Sequence, residues 1–278
     1  MSRTGLSVES VLKQEIGRTF QLLDGELGKA KGKLWWILDE TLTRRIMEVP
    51  LTERIEQAVQ RFLLSSGRVE ITDVLNHVFK LYQNSLTKDK ISIQNALKKV
   101  GRQVGKRYWV MNADTREHIR LHSELIAALA IAGNNLGYRI CIGRNERGDI
   151  SSITGNQIKL IQLMDCDPRV ISHKYGSKYI TDIDLLWINE DNEVEIAYEI
   201  ESTTTMISAV IRGSLLPDEI EKVMVIPESR QPEYARKWSY PAFAELYTRC
   251  SWNLVYFNDI LNNYKHPEFD IESYYQET

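Results

Sequence analysis

Thr181-Asp182-Ile183-Asp184-Leu185-Leu186-Trp187 and Ile196-Ala197-Tyr198-Glu199-Ile200-Glu201-Ser202 are the two stretches on which the fold of this chain turns. In both, acidic and apolar side chains alternate with the period of a strand. Strands are therefore expected over residues 180–188 and 194–201. Alternation puts Asp182 and Asp184 on one face of the first, with Ile183 and Leu185 on the other. On the second, Glu199 and Glu201 share a face, and Val194, Ile196, Tyr198 and Ile200 form the apolar opposite. Paired as a hairpin, the strands bring Asp184 towards Glu199. Hard oxygen donors that converge in this way suit Mg²⁺ or Mn²⁺, which can orient a water and offset the charge of a phosphodiester. On alternation alone an exposed, solvated strand face fits equally well, because Glu193 and Glu195 fall on the same side as Glu199.

Working outward, helical and strand-like segments alternate through residues 113–278, the pattern of an α/β domain. A helix over 116–133 and a strand over 138–143 come before the acidic strands, and a loop-rich stretch in between holds an extra strand at 158–163. A helix over 206–216, a strand over 223–226, a helix over 232–247 and a strand over 253–257 come after them. Glu124, on the first helix, is a candidate fourth acid or else a solvent-facing residue beside His122. Arg212, on the helix after the acidic strands, can hold the carboxylates or a phosphate, or form an interior salt bridge. His118, His122 and His173 have no partner at a readable spacing and are given no catalytic role.

This arrangement resembles the PD-(D/E)xK restriction-endonuclease-like superfamily. That pattern is an Asp on the second core strand, an acidic-x-Lys triplet about fifteen residues later on the third, and a helix directly after. Here Asp184 precedes Glu199-Ile200-Glu201, and Glu201-Ser202-Thr203-Thr204-Thr205-Met206-Ile207-Ser208-Ala209-Val210-Ile211-Arg212 resembles the continuation found in bacterial members whose triplet reads ExE. Over residues 115–262 the resemblance implies a mixed sheet flanked by helices and phosphodiester hydrolysis with Mg²⁺ or Mn²⁺. It implies that Asp184, Glu199 and the main-chain carbonyl of Ile200 ligate the metal, while Glu201 positions the attacking water or a second ion. The family's usual lysine is replaced by Glu201, which cannot supply a positive charge. Lys174 and Lys178 are the nearby ammonium groups, each also readable as an ordinary loop residue.

The N-terminal part reads differently. A helix is expected over residues 7–24 and another over 34–46, the latter carrying the Trp35-Trp36 pair as packing residues or as a base-stacking platform. Helices over 52–66, from Thr72 to Tyr82 and over 92–105, with a strand over 106–112, match the order of a winged helix-turn-helix. Lys98, Lys99 and Arg102 fall within one turn of the third helix, and Lys106 and Arg107 open the wing. Such a cluster gives salt-dependent affinity for phosphates, or is simply a solvated helix face. Residues 51–112 loosely resemble the winged-helix segments near the ends of large bacterial DNA methyltransferase-type polypeptides, where a PLxxRxE-type sequence, here Pro50 to Glu56, leads into the first helix.

Composition agrees with this division. The 278 residues carry a net charge of -3, but residues 1–112 hold 19 basic and 12 acidic side chains against 16 and 26 in 113–278. That asymmetry points to parts with different partners. At 43% hydrophobic the chain can bury real cores, no apolar run reaches the roughly 18 residues of a membrane span, and a cytoplasmic setting is expected. Cys141, Cys166 and Cys250 are odd in number and widely spaced, which argues against a disulfide framework or a thiolate zinc site. The expectation is a helical segment (1–50), a winged helix-turn-helix (51–112) and a restriction-endonuclease-like α/β domain (113–278). Together they would form a DNA endonuclease of restriction or antiphage defence, acting as a homodimer or within a defence complex, with RNA the less favoured substrate. The alternative is a catalytically inactive DNA-binding or assembly subunit.

Overall fold

The computed structural model describes residues 20–27, 30–37, 51–81, 90–201, 206–238, 250 and 252–276. The chain divides into two compact units, Met1–Pro50 and Leu51–Thr278.

In the first unit, β1 (Phe20–Leu27) and β2 (Ala30–Ile37) pair antiparallel, with Gly25 opposite Gly32. This corrects the helical reading of residues 20–24 and 34–37: glycine within the pattern and a paired tryptophan suit a ribbon better than a helix. The rest of both expected helices, and the packing of Trp35 and Trp36, lie outside the described residues.

The second unit begins with α1 (Leu51–Ser66), β3 (Arg68–Glu70), α2 (Ile71–Leu81), α3 (Lys90–Val100), β4 (Gly101–Val104) and β5 (Tyr108–Met111). The strands form a sheet of order β3-β5-β4. Ile55, Val59 and Leu63 of α1 meet Val74, Val78, Ile93, Leu97 and Met111 in one buried cluster. The third helix ends at Val100, not near residue 105, because the backbone turns directly into β4. Arg102 is thus a strand residue, and Lys106 and Arg107 sit in the turn between β4 and β5.

Asn112 joins this module to the α/β domain. Its side chain caps α4 (Ala113–Asn135) by accepting from Thr115 N at 2.6 Å, and donates to Lys99 O at 3.0 Å. The early part of α4 packs Ile119 on the preceding cluster, while Leu125, Ile126 and Leu129 enter the next core. One helix therefore serves both modules.

After β6 (Arg139–Ile142) come the short pair β7 (Ile150–Ser151) and β8 (Ile158–Lys159), α5 (Pro168–Lys174), and a 3₁₀ turn at Lys178–Asp182. The chain continues through β9 (Leu185–Ile188), β10 (Val194–Ile200), α6 (Ile207–Gly213), β11 (Glu221–Ile226), α7 (Gln231–Trp238), β12 (Trp252–Tyr256) and α8 (Phe257–Asn263). The main sheet has the order β12-β11-β10-β9-β6. β6, β9 and β10 run antiparallel, and β10, β11 and β12 run parallel. One face packs Leu185, Trp187, Ile196, Tyr198 and Ile200 against α4 and α8. The other packs Leu186, Ile188, Val194 and Ala197 near α5, and Met224 and Leu254 against α6 and α7. Helices on both sides of a mixed sheet make this an α/β domain.

Three sequence expectations change. Residues 180–184 are not strand: Asp182 closes the 3₁₀ turn and Asp184 directly precedes β9. The expected strand at 158–163 is only β8, because Leu160–Leu163 form a 3₁₀ turn. Val194 does not share a face with Ile196, because a bulge between them leaves Glu195 as the extra residue and turns Val194 to the opposite core. In addition, Cys141 and Cys166 are joined in a disulfide with Cα atoms 5.3 Å apart, contrary to the expectation of separate thiols, and Cys250 is buried with its thiol 3.4 Å from Asp218 Oδ1. Among the described residues no helix is long and apolar enough to cross a membrane.

Close packing also fixes α4 against β9. Trp187 Nε1 donates to Leu129 O at 3.1 Å, and a Cβ added at Gly133 would lie 2.6 Å from that nitrogen and 2.8 Å from Ile140 Cδ1. Gly133→Ala is expected to lower stability in urea denaturation by about 1–2 kcal/mol. Overpacking costs roughly 1–3 kcal/mol and outweighs the helix-propensity gain of up to about 1. An unchanged or higher midpoint would show that propensity wins.

Candidate functional site

The site lies where β9 and β10 meet. Tyr198 pairs with Leu185, so the residues just beyond them, Asp184 and Glu199, face each other across the strand pair. The Ile200 amide donates to Asp184 Oδ2 at 2.8 Å and ties the carboxylate to β10. Asp184, Glu199 and Glu201 are all buried, and charges cannot stay buried without compensation.

Arg212 of α6 supplies that compensation at Glu199. Its Nε donates to Glu199 Oε1 at 2.8 Å, its terminal nitrogen bonds Glu199 Oε2, and the same nitrogen lies 4.0 Å from Asp184 Oδ1. The contact is an interior salt bridge and also holds one of the carboxylates, so it satisfies both sequence alternatives short of phosphate contact. Burial pushes the Glu199 carboxyl up, and the guanidinium works against it. Removing one partner of such a pair typically costs about 3–5 kcal/mol.

His122 of α4, for which no partner was readable from spacing, reaches Asp184 Oδ2 at 3.3 Å. Burial lowers its pKa, but the hydrogen bond and charge of Asp184, with Glu146 and Asp149 behind it, outweigh burial and hold it at about 9. Burial pushes Asp184 up in turn, yet His122, Arg212 and the Ile200 amide leave it below the ordinary value.

These groups border a cavity of about 140 Å³. Asp184, Ile200, Glu201 and Arg212 form its floor, and Asp182, Asn145, Glu146 and Asp149 one wall. His118, Ile119 and His122 of α4 add another, and Gln57, Gln60, Arg61 and Leu64 of α1 the roof. Glu146 sits in the turn after Gly143. A Cβ at Gly143 would collide with the Glu146 carboxylate and lie 2.7 Å from Ile183 O, so glycine is required there. Glu146 Oε2 is buried, with no hydrogen-bond partner among the described residues. Burial first, and then the charge of Asp184, raise the Glu146 pKa to about 8.

Several expected residues stand elsewhere. Glu199 does not line the cavity, because Arg212 covers it. Glu124 is also absent from the lining: its carboxylate accepts from Ser151 Oγ at 2.9 Å and Ser152 N at 3.1 Å, pinning the β7 segment. Asp182 lines the cavity but is paired with Arg144 at 2.9 Å. Lys174 bonds Glu193 and Asp191 O, and Lys178 lies over the Tyr179 ring. His173 lies in the last turn of α5 and does not line the cavity. In the N-terminal module Lys99 pairs with Glu56 and Arg107 with Glu70, while Lys98, Arg102 and Lys106 are exposed. Sequence reasoning missed Glu146, Asp149, Arg61 and His122. The i, i+4 spacing of His118 and His122 was the available signal for the last.

By donor type the carboxylates suit a hard divalent cation. Among the described residues, however, no group of three or more His, Cys, Asp or Glu side chains is arranged to hold one.

His122 and Glu146 make stability fall as pH rises. The folded pKa of His122, about 9, lies above 6.5, so its contribution is complete below pH 6.5 and lost towards 9. Glu146 is held protonated up to about 8 against an ordinary 4.5, so ionisation in the unfolded chain draws stability away over that interval. In EDTA the melting temperature is expected to drop by several degrees between pH 6.5 and 9. Glu146→Gln should melt above wild type beyond pH 8. A flat profile in both proteins would contradict these assignments.

Comparison with known proteins adds one match. The family model described as the type II restriction enzyme NmeDI C-terminal domain matches residues 111–258, more than half of the chain. No curated protein matches, and no solved structure matches.

Proposed function

We propose a DNA-cleaving role from one premise: the chain belongs to the family of the type II restriction enzyme NmeDI C-terminal domain. On this reading it is a metal-dependent DNA endonuclease of the PD-(D/E)xK type in its ExE form, serving restriction or antiphage defence as a homodimer or within a defence complex. One observation carries the reading. Within the matched residues, Asp184, Ile200 and Glu201 line a single cavity beside the antiparallel β9–β10 pair.

Asp184, Glu201 and the main-chain carbonyl of Ile200 would hold Mg²⁺ or Mn²⁺, with Glu199 joining once Arg212 releases an oxygen. Such an ion, when bound, lowers the pKa of a water and offsets charge on the phosphodiester. Glu201 accepts the proton of the attacking water at a carboxylate oxygen, the role left to it by the missing lysine. His122 orients Asp184, and Arg212 keeps the acidic strands from repelling each other. Purified protein with Mg²⁺ or Mn²⁺ is expected to nick or cut plasmid DNA. Asp184→Ala with Glu199→Ala should abolish cutting and leave DNA binding within a few-fold. A wild-type protein inert on DNA and RNA with every metal tried, alone and with candidate partners, would defeat the enzyme reading.

Residues 51–112 would act as a winged helix-turn-helix that holds the duplex. The element order and the β4–β5 hairpin support this. The phosphate-contact candidates remain Lys98, Lys99, Arg102, Lys106 and Arg107, but Lys99 and Arg107 are engaged with Glu56 and Glu70. Replacing Lys98, Arg102 and Lys106 by Ala should therefore weaken binding more than replacing Lys99 and Arg107. Each lost phosphate contact should flatten the slope of log K against log salt by about 0.9. Equal affinity in all variants would move the nucleic-acid surface elsewhere.

One observation favours a second reading. Because Arg212 occupies both oxygens of Glu199, a catalytically inactive DNA-binding or assembly subunit would need no further change to the site. The plasmid assay separates the two readings.

A further inference from the structure

The roof of the cavity comes from α1, a helix of the N-terminal module. Its core stripe of Ile55, Val59 and Leu63 is buried, and an adjacent stripe at i, i+3, i+4 and i+7, namely Gln57, Gln60, Arg61 and Leu64, faces the carboxylates. Among the described residues, four side chains of basic type line the cavity: Arg212, bound to Glu199, His122, bound to Asp184, and His118 and Arg61. Arg61 is exposed, and its hydrogen bond to Asn145 O is long, at 3.4 Å. Its charge acts on Glu146 and Asp149.

A cavity of about 140 Å³ is well below the roughly 300 Å³ at which pockets begin to enclose a drug-sized ligand. A phosphate group is small enough to enter it. A phosphate that enters meets the carboxylates of Asp184, Glu201 and Glu146, so it needs a cation beside it to offset their charge. A guanidinium matches a phosphodiester with two parallel donors.

We propose that Arg61 contacts the phosphodiester held in this cavity, so that the N-terminal module completes the nuclease site instead of only delivering DNA to it. The inference rests on the nuclease reading of the same cavity and adds a residue from outside the acidic strands. The alternative role for Arg61 is to hold the modules together by its charge on the Glu146–Asp149 turn.

The test uses the full chain with Arg61→Ala and Arg61→Lys. Binding to a short mixed-sequence duplex is measured in EDTA over a range of salt, and plasmid cutting is measured with Mg²⁺. Arg61→Ala should lower the salt slope by about 0.9 and slow cutting by about tenfold or more, the scale of losing one charge-assisted contact. Arg61→Lys should restore the slope and only part of the rate, because an ammonium keeps the charge but not the fork. An unchanged slope in Arg61→Ala overturns the proposal, and if cutting still falls, Arg61 is assigned to holding the modules together. A wild-type protein that never cuts, with the slope still lowered in Arg61→Ala, defeats the nuclease reading and leaves the phosphate contact standing. A wild-type protein that cuts, with slope and rate unchanged in Arg61→Ala, does the reverse. Should Arg61→Ala fail to fold, Arg61→Gln carries the same comparison.

Discussion

Everything around the site depends on how the buried charge of Glu199 is compensated. It lies inside an α/β core beside two more carboxylates, where an unpaired charge would cost several kcal/mol. Arg212 answers it from α6 with two donors on two oxygens. Because α6 comes after β10 with only a short connection, the pair also fixes where that helix docks on the sheet. The same contact hides Glu199 from the cavity and leaves Asp184 and Glu201 as the core carboxylates that face it. The ion pair that compensates the fold thus also decides which acids can meet a ligand.

The cavity belongs to both modules of the second unit. Asn112 ties the start of α4 to the end of α3, α4 enters both hydrophobic clusters, and α1 roofs the carboxylates. A helix packed into two cores resists relative motion, so the polar stripe of α1 is held at a set distance from β9 and β10. This explains how Gln57, Gln60 and Arg61, remote in sequence from the acidic strands, come to lie beside them.

Alternation made much of the domain legible. It located β9, β10, β11 and β12 within a few residues, and the resemblance to the ExE pattern, added to it, singled out Asp184, Glu199, Glu201 and Arg212. It failed wherever the chain left the regular period. The 3₁₀ turn before β9 moved Asp182 out of the strand, the bulge at Glu195 turned Val194 to the other core, and the early end of α3 put Arg102 on β4. Glu124 looked like a fourth acid because it is a glutamate on the expected helix, but its partners Ser151 and Ser152 sit in a loop that has no period. Cys141 and Cys166 are brought together only because β6 runs beside the segment ahead of α5, which spacing alone does not reveal.

The amino-acid sequence by itself determined the α/β order and which acidic side chains fall on or beside the central strands, because these arise from local periods and from side-chain type. Tertiary structure decided which carboxylates reach the cavity, that His122 and Glu146 join them, and that Arg61 overlooks them. Those depend on distances between elements, which are set by packing and by the pairing of buried charge, and neither leaves a period in the sequence.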